Sequence, residues 1–189
     1  MPFNLPNLIT WSRILLIPFI VGVYYLPDAW LSLDAKNIVA TSIFIFAAIT
    51  DWLDGYLARA LDQMSAFGAF LDPVADKLMV AGALIVLLQL GRVESVVALI
   101  IIGREIAISA LREWMATIGK SKSVAVAFVG KIKTASQMIA LPLLLYHDAL
   151  FGVNCQTLGT ILINVAAVLT VISMLYYLRK ALPHASAAG

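Results

Sequence analysis

The sequence predicts an all-α integral membrane protein with six transmembrane helices. Of its 189 residues, 62% are hydrophobic and 13% are charged, whereas a water-soluble domain carries about 25% charged residues. Six apolar runs divide the chain, and each is long enough to cross a bilayer as a helix of about 20 residues. They cover residues 8–26, 37–59, 69–90, 93–115, 127–147 and 157–178. Polar and apolar residues do not alternate in these runs, which excludes the strands of a membrane barrel.

The six runs are expected to form a single domain over residues 1–189, because no linker, repeat or low-complexity segment separates them. The first run contains Arg13, and no small-x-small cleavage pattern follows it. A secretory signal peptide keeps its basic residues before the apolar stretch and ends in such a pattern. We therefore expect the first run to remain as the first span.

Lysine and arginine residues predict the orientation, since they are enriched in cytoplasmic loops. If the N-terminus is cytoplasmic, the cytoplasmic side receives Arg13, Arg59, Arg112, Lys120, Lys122, Lys131, Lys133, Arg179 and Lys180. The opposite side receives Lys36 and Arg92. This bias predicts that both termini are cytoplasmic, and that the junction of the second and third spans faces the cytoplasm.

Four aspartates lie in or beside the second and third spans. Asp51 and Asp54 are three residues apart, and Asp72 and Asp76 are four residues apart. On a helix, either spacing places both side chains on one face. A carboxylate within an apolar span is costly and therefore indicates a functional site. Two neighbouring helices would thus direct four carboxylates to one place.

Carboxylate oxygens without nearby histidine or cysteine favour Mg²⁺, Mn²⁺ or Ca²⁺ over zinc. Two such ions held close together suit an in-line displacement at phosphorus. Two other interpretations remain open from the residues alone. The acids could form ion pairs within the membrane with Arg59, Lys77 or Arg104, or they could relay cations in a transporter.

The chain from Asp51 to Asp76 reads D-x2-D-G-x2-A-R-x8-G-x3-D-x3-D. It resembles the motif of the CDP-alcohol phosphatidyltransferases, membrane enzymes that transfer a phosphatidyl group from CDP-diacylglycerol to an alcohol and release CMP. Further segments are similar to the bacterial members whose acceptor is sn-glycerol 3-phosphate. These segments are Asn7–Arg13, Asp72–Lys77, Arg104–Met115 and Gly130–Gln137.

The resemblance implies roles for individual residues. Asp51, Asp54, Asp72 and Asp76 would bind two Mg²⁺ or Mn²⁺ ions, and Asp76 would also be the catalytic base that takes the proton from the acceptor hydroxyl. The residues implied in CDP-diacylglycerol binding are Asp54, Gly55, Ala58, Arg59 and Gly68.

A phosphorylated acceptor brings its own dianion and therefore needs a second basic site. Arg112 near the end of the fourth span and Lys131 and Lys133 near the start of the fifth lie at about the depth of the aspartates. Arg104 lies two turns deeper than Arg112 on the same helix face. These four residues are the predicted binding site for the acceptor phosphate.

The resemblance further implies a homodimer in the bacterial cytoplasmic membrane, in contact with membrane lipids, with CDP-diacylglycerol and glycerol 3-phosphate as substrates. No nucleic acid partner is expected. The shared motif does not fix the acceptor, so serine, inositol phosphate and phosphatidylglycerol remain alternatives. A cation-binding transporter is the alternative from a different class.

Overall fold

The computed structural model describes residues 5–60, 66–117 and 128–185. The chain folds into helices, as predicted, and six long ones occur in these residues. They are α1 Leu5–Gly22, α2 Leu33–Ala60, α3 Ala66–Gln89, α4 Ser95–Thr117, α5 Phe128–Tyr146 and α6 Cys155–Ala185. Each helix contains most of one predicted apolar run, so the helical architecture is confirmed.

Three stretches in the described part of the chain are long and apolar enough to cross a membrane. They are Leu8–Tyr25, Leu33–Asp51 and Cys155–Arg179, in α1, α2 and α6. Helices α3 and α4 carry the acidic and basic residues of the predicted site, such as Asp76 and Arg104. These charges reduce the apolar character of both helices.

Two short elements were not predicted. A 3-10 turn, Val23–Tyr25, follows α1. A small antiparallel hairpin lies between α5 and α6, with strand β1 at Ala149–Leu150 and strand β2 at Val153–Asn154. Strands of two residues are too short to produce an alternating pattern that could be read from the sequence.

The helices pack so that α1 lies against both α2 and α3, while α5 packs along α6 and also contacts α2 and α3. Helix α4 packs on α6 and α3. The close approach of α5 and α6 needs a small residue at position 159, since a Cβ on Gly159 would lie 2.7 Å from Cγ of Leu144. Small residues are the usual means by which membrane helices approach closely.

One apolar core joins all six helices. Its most deeply buried large side chains are Ile20, Phe44, Leu84, Leu87, Ile101, Leu141, Leu144 and Ile163. Because this core fixes α1, α2 and α3 against each other, it also fixes the relative positions of the polar side chains that lie one or two turns beyond it.

The end of the bundle away from the aspartates contains a separate polar cluster. The guanidinium of Arg92 donates to the carbonyl oxygens of Leu144 and Leu145, at 3.0 and 2.8 Å, and to Oδ1 of Asn37 at 3.0 Å. These bonds satisfy carbonyls that the last turn of α5 leaves without a helical partner. Gly91, with a φ of +66°, ends α3 in the left-handed conformation that glycine adopts readily.

Candidate active site

Three of the four predicted acids surround the side chain of Arg13, which α1 inserts between α2 and α3. Nη1 of Arg13 contacts Oδ1 of Asp51 and lies 2.8 Å from Oδ1 of Asp76. Nη2 lies 3.5 Å from Oδ1 of Asp72. The side chain of Asp54 lies outside those that the structure describes. Carboxylates from two consecutive helices therefore converge on one cation.

The cation and its acids differ in exposure. The Arg13 side chain is 2% exposed, whereas that of Asp76 is 49% exposed. The side chains of Asp51 and Asp72 are also partly exposed. The guanidinium thus lies beneath the carboxylates, which remain open to molecules that approach from the surface of the bundle.

Thr10 also takes part in the acidic cluster. Its hydroxyl donates to Oδ1 of Asp72 at 2.7 Å, and its side chain is buried. Thr10 and Arg13 are three residues apart, so both lie on the face of α1 that meets α3. Neither residue is among the predicted site residues, and Arg13 served only to predict the first span and the orientation. A buried charge in an apolar span needs an acidic partner, and that requirement could have revealed Arg13.

If the four acids served only in ion pairs within the membrane, their expected partners were Arg59, Lys77 and Arg104. Among the described side chains, Arg13 forms ion pairs with these acids, and neither Lys77 nor Arg104 does. The side chain of Arg59 is outside the described set. Arg104 pairs with Glu105 rather than with an aspartate, at 3.2 Å between Nη1 and Oε1.

The donor chemistry of the acidic cluster fits a hard divalent cation. Among the described side chains, no group of three acidic, histidine or cysteine residues has the arrangement of a complete metal site. However, the oxygens of Asp51, Asp72 and Asp76 already surround the positive charge of Arg13. All-oxygen donors of this kind suit Mg²⁺ or Mn²⁺.

A cavity of about 340 Å³ extends from the acidic cluster into the space between α4 and α5. Asp51 and Asp76 line one side of it. The other polar residues of the lining are basic or neutral apart from one glutamate. They are Lys77, Arg104, Glu105, Arg112, Lys133, Thr134, Gln137 and Tyr177. The cavity therefore joins two acids to a largely basic wall.

The basic wall contains three of the four residues predicted to bind the acceptor phosphate, namely Arg104, Arg112 and Lys133. Arg112 is exposed, whereas Arg104 and Lys133 are buried. The side chain of Lys131 is outside the described set, so its role stays a prediction. Together with the partly buried Lys77, two buried cations and one exposed cation thus border one cavity.

Glu105 partly neutralises this wall. Its Oε1 accepts hydrogen bonds from Nζ of Lys133 and, at 3.2 Å, from Nη1 of Arg104. Nη2 of Arg104 lies 3.5 Å from Oγ of Ser173, and its guanidinium carbon lies 6.0 Å from the ring centre of Tyr177. Glu105 is not among the predicted site residues, but an acid in an apolar helix is expected to face the bundle interior or a wet cavity, and Glu105 lines the cavity. These contacts fix both cations in place.

The residues predicted to bind CDP-diacylglycerol lie mostly outside the described side chains. Asp54, Gly55, Ala58 and Arg59 belong to the last turns of α2, whose backbone reaches Ala60. Gly68 is described and buried, one turn before Asp72 in α3. The predicted nucleotide side of the site therefore remains a prediction for all five residues.

Comparison with known proteins places this geometry in a family. Residues 3–172 match the family model described as CDP-alcohol phosphatidyltransferase. Curated relatives from Salmonella choleraesuis (strain SC-B67) and Escherichia coli (strain K12) are 50% and 49% identical over 183 residues. The first alignment covers 96% of both chains. Both relatives are named CDP-diacylglycerol–glycerol-3-phosphate 3-phosphatidyltransferase. A family match over most of the chain, together with relatives of half-identical sequence, shows that the chain belongs to the CDP-alcohol phosphatidyltransferase family.

Proposed function

We propose that this protein transfers the phosphatidyl group of CDP-diacylglycerol to the 1-hydroxyl of sn-glycerol 3-phosphate. The products are phosphatidylglycerophosphate and CMP. The observation that carries the proposal is the cavity in which Asp51 and Asp76 face Arg112 and Lys133. A reaction between a nucleotide-linked lipid and a phosphorylated alcohol needs both an acidic and a basic region. The names of the relatives support the same two substrates.

In the proposed reaction, Asp76 accepts the proton of the acceptor's 1-hydroxyl. The hydroxyl oxygen attacks the β-phosphorus of CDP-diacylglycerol and forms the new phosphodiester bond. The bond from that phosphorus to the bridging oxygen breaks, and CMP leaves with the electron pair. Asp76 suits this role because its carboxylate is half exposed and lines the cavity. A general base must lie within hydrogen-bonding distance of the hydroxyl that it deprotonates.

Asp51, Asp54, Asp72 and Asp76 are proposed to hold two Mg²⁺ or Mn²⁺ ions. When bound, these ions supply positive charge that stabilises the phosphoryl oxygens and the leaving CMP. The convergence of Asp51, Asp72 and Asp76 from two helices supports this assignment, and the Thr10 hydroxyl orients the Asp72 carboxylate.

The substrates are proposed to bind on different sides of the acids. Asp54, Gly55, Ala58, Arg59 and Gly68 would bind the CDP group of the lipid substrate, with the guanidinium of Arg59 on phosphate or ribose oxygens. Arg112, Lys131, Lys133 and Arg104 would bind the phosphate of the acceptor. Of the three whose side chains the structure describes, Arg112 is the best placed for a first contact, because it is exposed at the cavity.

We propose that residues 1–189 form one membrane domain with six spans, cytoplasmic termini and a site that faces the cytoplasm of a bacterial inner membrane. Lys36 and Arg92 lie near each other at the end of the bundle away from Asp51 and Asp76, and the more numerous Lys and Arg residues assigned to the other side support a cytoplasmic site by the positive-inside rule. The faces of small residues permit a homodimer. A lipid substrate would reach the site from the bilayer and a polar acceptor from the cytoplasm.

The test is an acceptor panel with the purified full-length protein in detergent, CDP-diacylglycerol and Mg²⁺. We expect CMP release that depends on glycerol 3-phosphate, and little release with serine, inositol phosphate or phosphatidylglycerol. Activity with serine but not with glycerol 3-phosphate would reject the acceptor while preserving the chemistry. Cation flux in liposomes without any turnover of CDP-diacylglycerol would favour the transporter and reject the whole proposal.

A further inference from the structure

Lys77 follows Asp76 directly in α3, and both residues line the cavity between the acidic cluster and the basic wall. The lysine is partly buried. In the part of the chain that the structure describes, its ammonium forms neither a hydrogen bond nor an ion pair. A charged side chain in a membrane helix is expected to pair with another charge or to face a wet cavity. Lys77 therefore brings an uncompensated positive charge to the cavity.

The acids that line the cavity with Lys77 are engaged by other cations. Oε1 of Glu105 accepts hydrogen bonds from Nζ of Lys133 and, at 3.2 Å, from Nη1 of Arg104. Oδ1 of Asp76 lies 2.8 Å from the guanidinium beneath the acidic cluster. Glu105 therefore partly neutralises two cations of the wall and leaves the charge of Lys77 available to a ligand.

Arg112 is a second cation of the wall that has no acidic partner among the described residues. It is exposed and belongs to α4, which packs on the helix that carries Lys77. Two uncompensated positive charges on neighbouring helices thus border the same cavity. A phosphate monoester carries up to two negative charges near pH 7. The charge of the two residues therefore matches that of a phosphate monoester.

The position of Lys77 next to Asp76 fits a ligand that reaches both residues. In glycerol 3-phosphate, the hydroxyl that Asp76 is proposed to deprotonate and the phosphate lie at opposite ends of a short carbon chain. Lysine binds phosphate as a point charge on a long and flexible stem. Its ammonium can therefore contact the phosphate while the hydroxyl stays at the neighbouring carboxylate.

We propose that Lys77 binds the phosphate of the acceptor together with Arg112. The inference rests on the proposed function, and it adds to the predicted phosphate site a residue of α3, the helix that also carries the base. Lys77 and Arg112 supply the positive charge that Glu105 does not neutralise. Lys77 is thus a specificity-determining residue that favours a phosphorylated acceptor over an uncharged alcohol.

The experiment measures CMP release by the full-length protein in detergent with Mg²⁺, and each KM is determined with the other substrate saturating. In Lys77→Met, we expect the KM for glycerol 3-phosphate to rise by about 30-fold. This change corresponds to about 2 kcal/mol, which is typical of a hydrogen bond between charged groups. The kcat and the KM for CDP-diacylglycerol should change by less than about three-fold, since a contact kept from ground state to transition state affects binding only.

Two further variants control for charge and for folding. Lys77→Arg keeps a cation at the cavity and should restore the KM for glycerol 3-phosphate to within about three-fold of the wild type. Arg179→Met removes an exposed cation of α6 that is not among the residues lining the cavity, and it should leave this KM unchanged. If Lys77→Met does not fold, as judged by thermal unfolding, Lys77→Gln replaces it with the same expected rise.

The outcomes separate the inference from the proposed function. A rise in the KM for CDP-diacylglycerol instead would assign Lys77 to the diphosphate of the lipid substrate, and a fall in kcat alone would assign it to the surroundings of Asp76. Either result overturns the inference and preserves the phosphatidyl transfer, as does an unchanged KM or an equal rise in Arg179→Met. A wild-type protein without activity on glycerol 3-phosphate rejects the proposed function, and the role of Lys77 with it.

Discussion

Nη1 of Arg13 lies 2.8 Å from Oδ1 of Asp76, so a buried cation of α1 contacts the carboxylate proposed as the base. The same nitrogen contacts Asp51, and Nη2 faces Asp72. A single guanidinium thus links helices α1, α2 and α3 at the acidic end of the bundle. Its planar group can direct several hydrogen bonds at fixed angles, which orients the acids as well as neutralising them.

This relationship predicts that Arg13→Lys lowers the activity strongly and the stability only slightly. Lysine keeps the positive charge and most of the burial, so we expect a modest fall in the thermal unfolding temperature. An ammonium cannot reproduce the fork of contacts to Asp51, Asp72 and Asp76. We therefore expect kcat to fall by about 100-fold, which corresponds to about 2.7 kcal/mol of transition-state stabilisation.

Arg92→Lys is the control, since Arg92 is also buried but lies at the other end of the bundle. This variant should unfold at a lower temperature and keep its turnover per folded molecule. If Arg13→Lys and Arg92→Lys lose turnover to the same extent, Arg13 has no particular role at the acids.

Asp76→Asn is expected to remove CMP release while leaving the protein folded. Asparagine has nearly the same shape but cannot accept the proton of the acceptor hydroxyl, and a general base contributes about 10²–10⁴-fold. The fold should persist because Arg13 still contacts Asp51 and Asp72. The measurement is turnover at saturating Mg²⁺, beside thermal unfolding in the same detergent. Wild-type turnover by this variant would show that Asp76 is not the base.

The helices and the shared face of each aspartate pair could be predicted from the sequence, because each depends on local spacing. Long apolar runs predict helices, and intervals of three or four residues between polar side chains predict that they share one face of a helix. The requirement for an acidic partner could have singled out Arg13, but the acids that it meets could not be predicted, since Arg13 and Asp76 are 63 residues apart and meet through the packing of α1 on α3. The same holds for Glu105 and Lys133, which lie on different helices.

The pair of Glu105 and Lys133 supplies a prediction about stability. Glu105→Gln leaves the Lys133 ammonium buried, since this side chain is 2% exposed, without its carboxylate partner. Lys133→Met leaves Glu105 in contact with Arg104. Removing one member of a buried pair costs about 3–5 kcal/mol when the other charge is left uncompensated. We therefore expect Glu105→Gln to lower the free energy of unfolding more than Lys133→Met does.

The double variant tests whether the two residues act as a pair. Because the charge left buried by one change is removed by the other, its loss of stability should be smaller than the sum of the single losses, by about 1–3 kcal/mol. The control cycle uses Lys36 and Asp28, whose contact of 2.6 Å involves a largely exposed aspartate. There we expect a smaller coupling than at Glu105 and Lys133, because Lys36, although its side chain is only 5% exposed, also donates to the carbonyl oxygen of Leu26, and water reaches Asp28. Denaturant unfolding of the two sets of variants gives both coupling energies, and additive losses of stability for Glu105 and Lys133 would contradict the buried pair.

Lys133→Met should also raise the KM for glycerol 3-phosphate, because the cation lines the cavity at which the acceptor phosphate is proposed to bind.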